Sequence, residues 1–469
     1  MTKLFITSTL PYANSYRPHI GHLFEFILAD SITRFNKSFH SNENVCFNTG
    51  LDQNGSKILQ KATELGLPIG EFLSGVTNEW KSFCEKFHID YNNFYETSSN
   101  KHTEKVIKVW NLFIEKGLLY EKEYTGKYCV GCEAFKLNKD LTEGKCPDHS
   151  NLTLETVTEK NYFFNLATYK ETIIEWLKTN PINPINKVNE LLVFINDYDE
   201  ISVSRKRTEL SLGIGVPNRD DQVIYVWFDA LLNYIFAADE FADWNDCETI
   251  QLCGPDNLRF QGQIFQCLLL ALGKKNTGTL FVHGTILDKN GRKMSKTEGN
   301  VIDPIEQIEK YGIDAVRYYT LAGLNTTDNS SWDEANLVTQ FNSEICNDWG
   351  NLVSRTLHLI DTKSVDVDHG ITLNLFTDNV RKCEEEIVKL WQNLKIKEAL
   401  QKTNELVKSA NKYINDETPW NNENYEVVLK NLYYLITYVA ALYLPVFPNR
   451  HDVFHAIESK KKVILFNKL

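Results

Sequence analysis

A short apolar run, Leu4-Phe5-Ile6-Thr7-Ser8-Thr9-Leu10, leads straight into Pro11-Tyr12-Ala13-Asn14-Ser15-Tyr16-Arg17-Pro18-His19-Ile20-Gly21-His22. From Leu23 to Phe35 apolar residues then recur at helical spacing. A buried strand, a turn and a helix in that order put the turn at a helix N-terminus, where backbone N–H groups and the helix dipole attract anions. Gly21 lets the backbone pass close to a ligand. His19 and His22 can donate to phosphate oxygens whose charge grows in a transition state. A histidine pair near a helix start can equally be ordinary local structure. The downstream tetrapeptide Lys293-Met294-Ser295-Lys296 weighs for the first reading, because neither motif says much without the other.

The same alternation continues. Asn44 to Thr49 reads as a second strand and ends in the turn cluster Gly50-Leu51-Asp52-Gln53-Asn54-Gly55. Helices are expected over 56–65, 69–87 and 103–116. This pattern predicts a Rossmann-type, doubly wound parallel sheet with ligands at the carboxyl ends of its strands. Asp52 sits at such an end, either as an Asx turn or as a carboxylate facing a substrate ammonium. The pattern breaks from about Leu118 to Gln222. There Cys129-Val130-Gly131-Cys132 is followed, after thirteen residues, by Cys146-Pro147-Asp148-His149. Two such pairs can close a tetrahedral zinc site, and four protein ligands leave no open position, so the ion would be structural. Unligated thiols are the alternative. The sheet is expected to resume with Gln222 to Trp227, followed by a helix from Asp229 to Asp239. A strand over 249–253 ends at Gly254-Pro255-Asp256 and opens a helix over 257–272. A last strand over 280–284 precedes the polar turn that delivers Lys293 to Lys296. Such a turn is a solvated loop or, beside a phosphate site, a clamp whose lysines neutralise leaving pyrophosphate. From Ile305 the text is helical. Segments 335–360, 380–413 and 425–444 predict an α-helical bundle.

Composition sets limits. With 469 residues and 42% hydrophobic content, the chain can build two or three domains. No apolar run approaches the roughly 20 residues that span a bilayer, so no membrane is expected. The first strand begins at once, which leaves no room for a signal or transit segment. A net charge of -12 argues against a general nucleic-acid coat but leaves room for a local basic stripe serving one RNA. Ten cysteines in a chain this long are not a disulfide framework, and Cys46, Cys84, Cys253 and Cys267 sit in apolar settings. A reducing, cytoplasmic setting is expected.

The histidine turn and the lysine loop together resemble the class I aminoacyl-tRNA synthetases. Leu10-Pro11-Tyr12-Ala13-Asn14 and Tyr225-Val226-Trp227-Phe228-Asp229-Ala230 narrow the likeness to the methionyl-tRNA synthetases with one zinc knuckle, from residue 4 to about 450. The resemblance implies an ATP set of His19, Gly21, His22, Gly254, Asp256, Lys293, Ser295 and Lys296, with the two histidines and two lysines catalytic. It implies that Asp52 holds the methionine ammonium. Leu10, Tyr12, Trp227, Ala230, Leu231, Tyr234 and Gln261 would line the side-chain pocket. Aromatic walls suit a polarizable thioether, and the helical spacing of Trp227, Ala230, Leu231 and Tyr234 puts them on one face, although ordinary core would look the same. Cys129, Cys132, Cys146 and His149 would hold Zn2+, and Mg2+ would accompany ATP. Asn351, Arg355 and Trp420 match anticodon-reading positions, where the bland readings are surface polar residues and a cap on the bundle.

The implied division is a catalytic half over 1–117, an inserted lobe with the zinc knuckle over 118–222, a second catalytic half over 223–285, the lysine loop and stem-contact region over 286–334, and the helical anticodon-binding domain over 335–469. The implied reaction joins methionine to the terminal adenosine of tRNA(Met) through an adenylate. A paralogue that binds tRNA or adenylate without charging is the alternative, and the intact motifs speak against it. The absence of a segment beyond the bundle favours a monomer. Three departures from the family pattern stand out: Gln261 in place of a histidine, Pro255 in place of a lysine, and Gln53-Asn54 in place of Glu-His.

Overall fold

The computed structural model describes residues 2–38, 40–130, 134–136, 141–147, 151–208, 210–294, 299–367, 375–460 and 464–469. The chain forms two compact units. The first comprises Met1–Tyr16, Asn48–Trp80 and Asn92–Val282, and the second comprises Arg17–Phe47, Lys81–Tyr91 and His283–Leu469. Among the described residues no helix is long and apolar enough to cross a membrane.

The first unit is built on a six-stranded sheet. Its strands before the insert are β1 (Lys3–Thr7), β2 (Val45–Leu51, in this unit from Asn48 on) and β3 (Asn93–Glu96). The insert supplies β4 (Leu119–Cys129), β5 (Ala134–Lys136), β6 (Glu155–Asn165), β7 (Ile182–Asn183), β8 (Glu200–Ser202), β9 (Ser204–Lys206), β10 (Gly215–Val216) and β11 (Arg219–Ile224). Then come β12 (Cys247–Cys253) and β13 (Thr279–Val282). The order is β3-β2-β1-β12-β13-β7, and the β1–β12, β12–β13, β13–β7 and β2–β3 pairings are parallel. Chain order reverses between β1 and β12, which makes the crevice at their carboxyl ends the expected ligand site. Phe5, Ile6, Leu252, Cys253 and Leu280 to Val282 are buried in near-continuous apolar runs, as strands covered on both faces must be.

The insert differs from expectation. β4, β5, β6 and β8 form a separate antiparallel sheet in the order β5-β4-β6-β8. The stretch expected to resume the main sheet does not do so. β11 pairs antiparallel with β9 and β10, and the next helix, Val226–Phe241, already contains Val226 and Trp227. The main sheet resumes only at β12, and the insert adds the short edge strand β7 beside β13.

The second unit carries the helix Ile20–Lys37, the parallel pair β14 (Ile286–Leu287) and β15 (Ser330–Ser331), and the C-terminal helices. Arg317 and Asp30 are both fully buried and 2.6 Å apart, and Arg317 also donates to the carbonyls of Phe87, Pro445 and Val446. A buried ion pair of this kind survives only when its remaining donors are satisfied, as they are here. The expected helix over 335–360 runs as Glu334–Gln340, a wider π-type stretch Phe341–Gly350, and Asn351–Lys363. The expected helix over 380–413 is two helices, Leu375–Gln392 and Ile396–Glu417. They are separated at Leu394, whose φ of 58° an α-helix cannot accommodate. Tyr425–Tyr443 and His451–Ser459 complete the bundle.

Candidate active site

In the first unit, the chain leaving β1 runs alongside the end of β2. Asp52 N–H donates to the Pro11 carbonyl at 2.9 Å, and Ala13 N–H donates to the Asp52 carbonyl at 2.8 Å. Thr9 Oγ1 donates to the Leu252 carbonyl at 3.3 Å and so ties the end of β1 to the end of β12. The Asp52 carboxylate accepts from Thr97 Oγ1 at 3.2 Å and from Asn54 N–H at 3.4 Å. Gly55 has a φ of +129°, and a Cβ there would lie 1.9 Å from the Tyr12 hydroxyl, so only glycine lets Tyr12 lie against this turn.

The other wall comes from the helix Val226–Phe241 and from Phe260–Ile264, a π-type stretch of the kind often found at functional sites. Trp227 stacks on Phe260 with ring centroids 3.7 Å apart and planes 8° from parallel. Gln261, fully buried, donates to Thr9 Oγ1 at 3.1 Å and to the Tyr234 hydroxyl at 3.4 Å. The structure therefore brings Tyr12 to Asp52, and Tyr234 and Gln261 to the end of β1. Leu10, Ala230 and Leu231 are buried nearby in sequence. Gly254 opens a short turn, Pro255–Asn257, directly after β12, and Asp256 is exposed on it. Asp229, on the same helix as Trp227, is fully buried, and burial, with Asp52 second, raises its pKa well above the ordinary carboxylate range.

In the second unit, His19 caps the helix Ile20–Lys37. Its Nδ1 accepts from Gly21 N–H at 3.1 Å, and His22 Nδ1 accepts from His19 N–H at 3.2 Å. The two rings stack at 3.6 Å. A Cβ on Gly21 would press on the His19 ring at 3.0 Å, so the absence of a side chain there lets the ring sit where it does. Ile20 N–H donates to the Ile302 carbonyl at 3.3 Å, which joins the histidine turn to the chain leaving the lysine loop. The Asp288 carboxylate gathers both arms of that loop. It accepts from Asn290 N–H and Arg292 N–H, each at 2.9 Å, from Arg292 Nε at 3.0 Å and from Asn300 Nδ2 at 2.9 Å. These bonds, the Asn300 amide first, hold its carboxyl well below the usual carboxylate range. Lys293 bridges back to Leu287. Ser295 and Lys296 lie outside the described residues.

The family model described as "tRNA synthetases class I (M)" matches residues 4–155 and 149–357. A methionine–tRNA ligase of Caldanaerobacter subterraneus is 33% identical over 96% of this chain and 73% of its own. A methionine–tRNA ligase of Nostoc is 32% identical over 95% of this chain and 87% of its own. The chain belongs to the class I methionyl-tRNA synthetases. The family consists of ATP-dependent ligases. The fold agrees: a solved Mycobacterium tuberculosis methionyl-tRNA synthetase in complex with methionyl-adenylate superposes with a TM-score of 0.88 and 26% identity, covering 97% of this chain and 93% of that one.

Two further groups of expected residues lie away from this site in the sequence. Cys129 ends β4, where its backbone pairs with Ala134, and Cys146 follows a tight Thr142–Lys145 turn closed by bonds of 2.9 and 3.0 Å. Both thiols are fully buried. Cys132 and His149 lie outside the described residues, and among the described residues no three His, Cys, Asp or Glu side chains gather as a metal site. Each described thiol is the first member of a C-x-x-ligand pair, a soft donor set that fits zinc. In the second unit, Asn351 and Arg355 start the helix Asn351–Lys363. The Arg355 guanidinium lies 5.9 Å from the Trp420 ring centroid and donates to Asn415 Oδ1 at 2.9 Å. Trp420 is 41% exposed.

Sequence reasoning passed over Thr9, Thr97 and Phe260, and it gave Asn54 only as a departure from the family pattern. Asp229 was named only within a motif, although a carboxylate inside the apolar run Val226 to Leu232 is itself a signal.

Proposed function

We propose that this chain forms methionyl-adenylate from methionine and ATP and transfers the methionyl group to the terminal adenosine of tRNA(Met). Asp52 receives the ammonium group. The thioether lies among Leu10, Tyr12, Trp227, Ala230, Leu231, Tyr234 and Gln261, where aromatic faces give it S···π contact and only the Gln261 amide and the tyrosine hydroxyls are polar. The methionine carboxylate attacks the α-phosphate and pyrophosphate leaves. His19 and His22 have Nδ1 occupied by backbone N–H donors, so the neutral rings carry hydrogen on Nε2 and donate it to phosphate oxygens. Lys293 and Lys296, with Ser295 between them, neutralise the leaving group. Gly254 and Asp256 take the ribose. Magnesium, when bound with ATP, neutralises phosphate charge. No side chain becomes covalent, and positioning and charge stabilisation carry the rate.

Cys129, Cys132, Cys146 and His149 would hold a zinc ion that stabilises the fold of the inserted lobe. Asn351, Arg355 and Trp420 read the anticodon loop. The observation that carries the proposal is the convergence of Thr9, Tyr12, Asp52, Tyr234 and Gln261 at the carboxyl ends of β1 and β2 in a chain of this family. ATP–pyrophosphate exchange with each of the twenty amino acids tests it. Methionine alone should support exchange, and comparable exchange with leucine or isoleucine would sink the pocket assignment.

A further inference from the structure

Asp229 sits in the first turn of the helix Val226–Phe241, where Oδ2 accepts from Asn54 Nδ2 at 2.7 Å and Oδ1 has no hydrogen-bond partner. Asn54 belongs to the turn after β2, and its backbone N–H donates to Asp52. One neutral residue therefore links the two carboxyl groups, its backbone N–H to Asp52 and its side-chain amide to Asp229. Among the described residues no lysine or arginine donates to Asp229. A fully buried carboxylate with one oxygen unsatisfied is costly, and a second carboxylate beside it adds repulsion. Both effects favour a proton on Asp229 and outweigh the Asn54 amide and the Ala230 N–H, which favour its charged form, in line with its raised pKa. Among the described residues, the ionisable groups facing Asp229 are Asp52 from the turn after β2 and His102 from the helix Asn100–Glu115. Burial pushes His102 down to about 3, so it is a neutral imidazole and contributes no balancing charge.

We propose that Asp52 and Asp229 share a single negative charge in the free enzyme, and that the ammonium group of methionine expels the proton held on Asp229. This rests on the assignment of Asp52 to the ammonium. The O–H bond of Asp229 breaks, its proton passes to solvent, and the ammonium, which keeps its own three protons, becomes the cation that balances the second carboxylate. Methionine binding is thereby linked to pH through the carboxyl pair, whose titration belongs to both groups together. The site also selects for a cation, because a neutral amine or a missing one leaves the proton in place.

Calorimetric titration of the full chain with methionine, in buffers of different ionisation enthalpy near neutral pH, measures the protons exchanged. We expect release of roughly half a proton or more per methionine bound. The deamino analogue of methionine should release none, and Asp229→Asn should abolish release. A wild-type enthalpy independent of buffer overturns the proposal, as does undiminished release in Asp229→Asn. A second readout needs no variant: the infrared difference spectrum on adding methionine should lose a protonated-carboxyl carbonyl band, and its absence overturns the proposal too. Methionine binding by Asp52→Asn separates the two layers of the argument. Unchanged affinity in that variant defeats the ammonium assignment itself, whereas lost affinity together with no wild-type proton exchange defeats the proton coupling alone.

Discussion

His19 and His22 each use Nδ1 to accept a backbone N–H, so the same atoms that cap the helix fix the tautomer that the proposed phosphate contacts require. Cap and catalysis can therefore be separated by substitution. Asparagine at position 22 can keep an acceptor near the place of Nδ1 but has nothing near Nε2. His22→Asn should fold normally and lose one transition-state donor, slowing adenylate formation by roughly 10²–10³ with little change in methionine affinity. Wild-type exchange rates in this variant would remove His22 from the mechanism. His102 makes a prediction about stability with an opposite sense to Asp229. Its folded-state pKa of about 3 lies below the unfolded value near 6.5, so below pH 6.5 the unfolded chain binds the extra proton. The stability it contributes is complete above that value and is lost as the pH falls. Between pH 7 and pH 5 this group alone should cost the fold up to roughly 2 kcal/mol. His102→Gln should lose that much less on acidification, measured by denaturant unfolding at the two pH values. An identical loss in both proteins would remove His102 as the cause.

At the scale of elements, the strand–turn–helix at the start of the chain was legible because its chemistry is local. β1 and the helix Ile20–Lys37 follow the apolar spacing, with Gly21 and the histidines at the turn. The stretch Val223 to Trp227 was not legible. A buried strand end and the start of a buried helix are both short apolar runs, and period alone cannot tell them apart. Leu394 gave no warning of a helix break, because its left-handed backbone is imposed by packing rather than by residue type. The two-residue strand β7 is too short to carry any pattern. The motif residues Tyr12 and Asp52, and Tyr234 and Gln261, do meet in pairs, while Asn54 and Thr97 join their surroundings only through tertiary hydrogen bonds. The inserted lobe yields its own prediction. β4 and β6 pair along ten register positions, with many outward residues exposed, so this sheet buries little apolar surface. A metal would make up the deficit. Purified protein should carry one zinc per chain, and Cys146→Ser should release it and make β4 to β6 the first region cut by protease. Active, protease-resistant protein free of zinc would defeat the metal assignment.

At the scale of the whole molecule, the proposed recognition of methionine and the proposed recognition of an anticodon can be tested apart. Trp420 follows Thr418, whose φ of 41° turns the chain sharply at the end of the helix Ile396–Glu417. The exposed indole is held by a Lys363 Nζ bond to its carbonyl at 3.3 Å, with the Arg355 guanidinium beside the ring. A partly exposed indole with a cation nearby offers a stacking platform for an unpaired base, worth roughly 1–3 kcal/mol. Asn351 and Arg355, one helical turn apart, add amide and guanidinium donors for base edges. In a folded tRNA the anticodon lies far from the terminal adenosine, so loss of this platform should not reach the chemistry of activation. Trp420→Ala should weaken tRNA charging by roughly tenfold or more, mostly through the KM for tRNA, and leave tRNA-free pyrophosphate exchange nearly unchanged. Because the ring is only partly buried, the substitution leaves a small cavity at most, and a matched thermal midpoint would confirm that the fold is intact. Equal losses in both assays would mean that Trp420 supports the bundle rather than the tRNA, and the anticodon assignment would fail with it.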